Sequence, residues 1–255
     1  MSDFAPLRFG FDDFGSELKA IKELTAKRFF GPSAEWIFPR LEQVLKQLKD
    51  DNGDKIIRWE VAESSPLETI PTTGFEPGCR DGGVNVVGQV SWCWLIQKCA
   101  QKKKGPSSDF QLSGNASVKF IIREAGDPTS SRLAMWRVEC GAHDSPGCFF
   151  HTQILGDTDE PPFPRSLSIP RLPTLFVTPM AAIEFFLGEL FQDEWAQRVT
   201  GNNGQLDYWK SIQQGRLNRL LDWKRKQIAN CQGSPWLALK QAKPTVAESL
   251  FVGGR

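Results

Sequence analysis

The stretch VNVVGQVSWCWLIQ, residues 84–97, alternates two kinds of side chain along its length. Val84, Val86, Val90, Trp92, Trp94 and Ile96 fall on one parity, and Asn85, Val87, Gln89, Ser91, Cys93 and Leu95 fall on the other. A strand sends successive side chains to opposite faces, so this period of two predicts one dry face and one wetter face. FQLSGNASVKFIIRE, residues 110–124, repeats the pattern, with Phe110, Leu112, Ala116, Val118, Phe120 and Ile122 set against Gln111, Ser113, Asn115, Ser117, Lys119 and Arg123. Parallel sheets are buried on both faces, whereas a sheet covered on one side alone is antiparallel. The polar connection KCAQKKKGPSSD, residues 98–109, predicts an exposed hairpin loop. Shorter strand patterns run over Leu133 to Cys140 and Cys148 to Leu155, and IIRWEVA, residues 56–62, precedes them all. The sum is an antiparallel meander of about five strands.

Outward from the strands the period becomes helical on both sides. Ser16 to Phe30 and Pro39 to Lys49 predict two helices separated by Gly31 and Pro32, the second with Leu41, Val44, Leu45 and Leu48 on one face. Thr178 is a suitable N-cap and Pro179 a suitable first residue for a third helix, whose apolar stripe is Ile183, Phe186, Leu187, Leu190, Phe191 and Trp195. A fourth helix is predicted from about Leu206 to Asn230, and Ser234 with Pro235 repeats the cap-then-proline arrangement before a short last one. Helices segregated at the two ends of a run of strands predict an α+β fold, the helices packed on one face of the sheet. Neither end buries its stripe alone, so residues 1–255 read as one domain. Its parts are N-terminal helices (1–52), meander (53–157), a proline-rich crossing (158–177) and C-terminal helices (178–255). The crossing contains PPFPRSLSIPRLP, residues 161–173, whose Phe163, Leu167, Ile169 and Leu172 between prolines predict an extended strap; Arg165 and Arg171 are its candidate partner contacts.

Composition narrows the function. A net charge of +1 gives no global attraction to nucleic acid or to an anionic membrane. The opening residues lack the basic start and apolar run of a secretion signal, and the most apolar region, residues 174–191, is interrupted by Pro179, Glu184 and Glu189. The expectation is a cytoplasmic protein with no membrane span, its six cysteines kept as thiols. Nine tryptophans against a single tyrosine suggest bulky packing or an aromatic surface for a partner. Phosphate-loop, dinucleotide, nucleophile-elbow and zinc-protease motifs are absent from the sequence.

Three candidate sites follow. CGAHDSPGCFFH, residues 140–151, holds Cys140, His143, Cys148 and His151, a donor set for zinc; Cys140 or Cys148 with a histidine base, oriented by Glu139 or Asp144, is the thiol-enzyme use of the same residues. Opposing both, the side chains of Cys148 and His151 are three apart on a strand and point to opposite faces. The second candidate is basic: Lys210, Arg216, Arg219, Lys224, Arg225 and Lys226 lie along the fourth helix, an alternative nucleic-acid surface with Trp209, Trp223 and Trp236 for stacking. The third and favoured reading is a noncatalytic binding or adaptor protein acting through a protein partner. Scarce histidine, missing catalytic motifs, abundant tryptophan and the contrast between the acidic third helix and the basic fourth all point that way.

Overall fold

The alternating stretch forms β4 (Val86–Lys98), and its dry parity is buried as expected: Val86, Val90, Trp92, Trp94 and Ile96 all lie in the core. The computed structural model describes residues 7–51, 55–75, 83–99, 108–114, 116–126, 132–141, 148–154, 172–175, 178–201, 204–245 and 250–251. Residues 158–171 of the proline-rich crossing, with Arg165 and Arg171, lie outside these, as do His143 and the lysine loop at 102–104.

β4 is thirteen residues long and pairs along both edges. One edge takes β2 (Ile56–Val61) and β3 (Leu67–Glu68); the other takes β5 (Asp109–Leu112) near its end and β6 (Ala116–Glu124) over its first half. Beyond β5 lies β1 (Arg8–Gly10), and β6 leads on to β7 (Arg132–Cys140), β8 (Phe150–Ile154) and β9 (Leu172–Pro173), every pairing antiparallel. The α+β class with an antiparallel sheet therefore stands, but among the described residues the sheet has nine strands instead of about five. β1, β3 and β9 are two or three residues long, too short for a period to register. The run from Phe110 to Glu124 divides into β5 and β6 at Gly114, whose φ of +80° is the left-handed conformation that glycine adopts without strain.

Five helices follow from the expected stripes, with shifted ends: α1 (Phe11–Thr25), α2 (Ala34–Asp50), α3 (Pro179–Thr200), α4 (Gly204–Ala229) and α5 (Pro235–Gln241). α2 starts before Pro39 because Ala34, Ile37 and Phe38 extend the buried stripe of Leu41, Leu45 and Leu48 by a full turn. That burial offsets the backbone hydrogen bond a proline removes inside a helix. α3 begins as its sequence predicts, Thr178 Oγ1 accepting from the Ala181 amide at 3.2 Å and Pro179 following. Its approach to the sheet is close: a Cβ on Gly88 of β4 would come within 2.5 Å of Phe186 and Leu190 side-chain atoms. The core beneath α1 is aromatic, with Phe14 edge-on to Trp59 at 5.1 Å and to Phe110 at 5.1 Å, and Phe9 stacked on Phe110 at 5.5 Å. Trp59, Trp92, Trp94, Trp195, Trp209 and Trp223 are all buried, so most of the indole content is packing; Trp36 and Trp236 are exposed. Among the described residues no helix is long and apolar enough to cross a membrane.

Candidate binding cleft between α3 and α4

α1 packs against both α3 and α4, whereas the backbones of α3 and α4 stay apart from each other. The space left is a cavity of about 540 Å³, within the ordinary range for a ligand or side-chain pocket. Its walls are apolar: Ala181, Phe185, Gly188 and Trp195 from α3 face Leu217 and Leu220 from α4. Phe185 is 42% exposed and Leu217 39%, so the mouth of the cleft is greasy on both sides.

The floor is polar and built around Glu17 of α1, which is 0% exposed. Its Oε1 accepts from Thr178 Oγ1 at 2.7 Å and from Gln213 Nε2 at 2.7 Å, while Oε2 meets Arg216 Nη1 in a buried ion pair. A buried carboxylate is tolerated only when charge and hydrogen bonds compensate it, and three donors from α3 and α4 do so here. A second strut crosses the cleft, Trp209 Nε1 of α4 donating to Glu184 Oε2 of α3 at 2.8 Å. Burial pushes the Glu184 carboxyl up and the nearby Glu17 charge adds to this, while the indole hydrogen bond opposes it.

One wall residue is strained. Gln192 adopts φ 35°, ψ −103° in the middle of α3, where the helix breaks and restarts. Non-glycine residues reach positive φ at a cost, and such a conformation persists only where its surroundings hold it. Phe29 supplies the hold, edge-on to Phe191 at 5.0 Å and to Trp195 at 5.3 Å, one ring on each side of the break.

The described lining of the cleft contains no cysteine, histidine or serine, the Thr178 hydroxyl is occupied by Glu17 and the Ala181 amide, and Arg216 is neutralised by Glu17. The ionisable groups that remain in the lining are the carboxyls of Glu184, bonded to Trp209, and Glu189. The arrangement suits the seating of apolar groups over a floor whose two charges, Glu17 and Arg216, pair with each other.

The residues singled out from the sequence are dispersed. In α4, Lys210, Arg225 and Lys226 are exposed, with Arg225 3.3 Å from Asp222, but the other three basic residues turn inward. Arg216 lies in the cleft floor, Arg219 Nε donates to the Leu250 carbonyl at 3.0 Å, and Lys224 Nζ donates to the Thr174 carbonyl at 3.2 Å. Burial lowers the pKa of both Arg219 and Lys224. Lys210 and Lys226 are sixteen positions apart, which turns them about 160° from each other around a helix at 3.6 residues per turn. Arg225 lies between them, about 60° from Lys210, so the three exposed cations spread over about 160° of the helix surface.

The cysteine–histidine hairpin is divided by the pleat. Cys140 pairs with Phe150 and is buried in the core, where desolvation pushes its thiol up to about 12 and so favours the protonated form. His151 pairs with Glu139, one position along on both strands, and so lies on the other face of the sheet. Both of its ring nitrogens are engaged: Nδ1 donates to the Cys148 carbonyl, which only accepts, at 2.7 Å, and Nε2 meets Glu139 Oε2 at 3.1 Å. Arg137 Nε holds the other Glu139 oxygen at 2.9 Å. Among the described residues no three histidine, cysteine or acidic side chains gather as a metal ion would require.

Glu17 escaped the sequence reading because acidic residues count as surface, yet a signal exists: it lies three positions after Phe14 and four before Ile21, on the apolar stripe of α1. Arg216 is placed alike, seven after Trp209 and four before Leu220. A charge at such a position on each of two helices marks a buried pair. Comparison of the chain with family models, with curated proteins and with solved structures finds no match in any of the three.

Proposed function

We propose that this is a noncatalytic binding protein acting through a protein partner, and that the cleft between α3 and α4 receives the partner's apolar side chains. The observation that carries the reading is an open apolar cavity, rimmed by exposed Phe185, Leu217 and Leu175, over a floor whose charges are paired internally. Large exposed apolar side chains grouped around a concavity are the mark of an interaction site, unlike the scattered ones every surface carries. A cytoplasmic location belongs to the same proposal, supported by cysteines that remain free thiols among the described residues.

A photo-crosslinking residue placed at Leu217 in the native cell tests the reading, with the same residue at Leu95, on the wetter face of β4, as control. The expected result is a discrete protein adduct from position 217, lost when Phe185→Asn is added and absent from position 95. Identical adducts from both positions, or none from 217, overturn the assignment. A nuclease-sensitive adduct transfers it to the nucleic-acid alternative, in which exposed Lys210, Arg225 and Lys226 are the phosphate contacts.

A further inference from the structure

The cleft's two walls differ in charge. α3 carries Glu184, Glu189, Asp193 and Glu194 against one cation, Arg198. Arg198 does not serve them: its Nε donates to the Leu24 carbonyl of α1 at 3.2 Å. Glu189 lines the cleft, Asp193 and Glu194 are exposed just past the break at Gln192, and none of the three takes part in an ion pair among the described residues. On the facing wall α4 presents Gln213, Leu217 and Leu220 with no acid among them, and its one cation there, Arg216, is paired with Glu17.

The backbone of the occupant is constrained as well. Both walls are helices, whose N–H and C=O groups away from the ends and from the break at Gln192 are bonded within the helix, so neither wall offers a sheet edge to an extended peptide. An extended segment pressed into the cleft would leave its own polar backbone groups buried without hydrogen-bond partners. A helix brings its backbone already satisfied and presents apolar side chains at i, i+3, i+4 and i+7.

We propose, on the basis of the partner reading above, that the segment taken up by the cleft is a basic amphipathic helix. Its apolar face seats between Phe185 and Leu217, and its lysine or arginine residues lie along the α3 rim at Glu189, Asp193 and Glu194. An acidic helix would place like charges against that rim, and a neutral one would leave its carboxylates without counter-charge.

Three fluorescein-labelled 18-residue peptides with one leucine pattern at helical spacing, their polar positions filled with lysine, glutamate or glutamine, test this by fluorescence anisotropy on the full chain. The leucine–lysine peptide is expected to bind tightest. Glu189→Gln with Asp193→Asn should weaken it about fivefold, the sum of two rim contacts. Phe185→Asn with Leu217→Asn, both exposed and so tolerated by the fold, should weaken all binding by about tenfold or more, as loss of central apolar contacts does. If the three peptides bind alike and all depend on Phe185 and Leu217, the cleft stands as a partner site and its preference for a basic helix is overturned. Lysine-peptide binding that ignores Phe185→Asn with Leu217→Asn is surface attraction and overturns the proposal; so does binding of none of the three, which leaves the partner reading to the crosslink at 217.

Discussion

The helices before the sheet and those after it use their apolar residues differently. In α1 and α2 nearly every large apolar side chain is consumed by the core, from Phe14, Leu18 and Ile21 to Ile37, Leu41 and Leu48, and Trp36 alone is exposed among the largest. In α3 and α4 the same kind of stripe is buried, yet Phe185, Leu217, Leu221 and Tyr208 are left outside. The first pair is matched to the sheet beneath it. The second is held apart by a polar floor and a broken helix, and Phe185 and Leu217 of this exposed set lie at the mouth of the cleft. Large apolar side chains are thus spent on the core at one end of the chain and left partly exposed at the other.

The largest way to break this contrast is Glu17→Ala. It leaves the Arg216 guanidinium buried without its acid and strips Thr178 and Gln213 of their acceptor, a loss of about 3–5 kcal/mol in urea denaturation. Hydrogen exchange should show α4 and the start of α3 losing protection while α2 keeps it; uniform loss would mean that the two helical layers are one cooperative unit. Removing both charges, in Glu17→Met with Arg216→Met, should restore most of the stability.

Next comes one substitution placed in each region. Gly88→Ala drives a methyl group into Phe186 and Leu190 and should destabilise by about 1–3 kcal/mol. Gly15→Ala in α1 meets nothing within 4 Å and should instead stabilise by about 0.5–1 kcal/mol through helix propensity. Equal effects in the two denaturation curves would erase the distinction between a tightly seated α3 and a roomy outer face of α1.

The smallest effect is a pH slope. The folded-state pKa of Glu184 is raised, mainly by burial, so its contribution is fully present below the carboxyl's unfolded value and is lost as pH rises through the folded one. Glu184→Gln keeps an acceptor for Trp209 and has no charge to bury. The melting temperatures of variant and wild type should therefore be similar near pH 4 and diverge in the variant's favour toward pH 7. A gap that narrows with rising pH would show that Glu184 is stabilised as a carboxylate in the cleft.

What could be read from the sequence was periodicity and caps. β4 and β6 alternate, apart from buried Ser91 and Ile121, because one face meets the helices and the other does not, and Thr178 with Pro179 marks the start of α3 because those residues suit the first turn. Strand order was hidden: β4 pairs with four partners, and a period of two specifies a face, never a neighbour. The cleft was hidden for a different reason. Its floor joins residues separated by nearly the whole chain, Glu17 to Arg216, and its shape depends on a break at Gln192 that no residue preference forecasts. Of the basic residues of α4, Lys210, Arg225 and Lys226 are exposed, whereas Arg216, Arg219 and Lys224 are turned to acceptors within the fold, a distinction that charge counting does not make.

The contact between Phe9 and Phe251 has a temporal consequence. The rings stack at 5.0 Å and the two residues share a parallel bridge, so β1 meets a residue made some 240 positions later. On a ribosome the strands can pair among themselves, but the edge at β1 and the floor at Glu17 stay incomplete until α4 and Phe251 have emerged. Contacts so distant in sequence are slow to form because loop closure precedes any reward. The nascent chain therefore carries an unfinished, aromatic-rich core through most of its synthesis, and a chain released early, before Phe251, should aggregate where the full one folds.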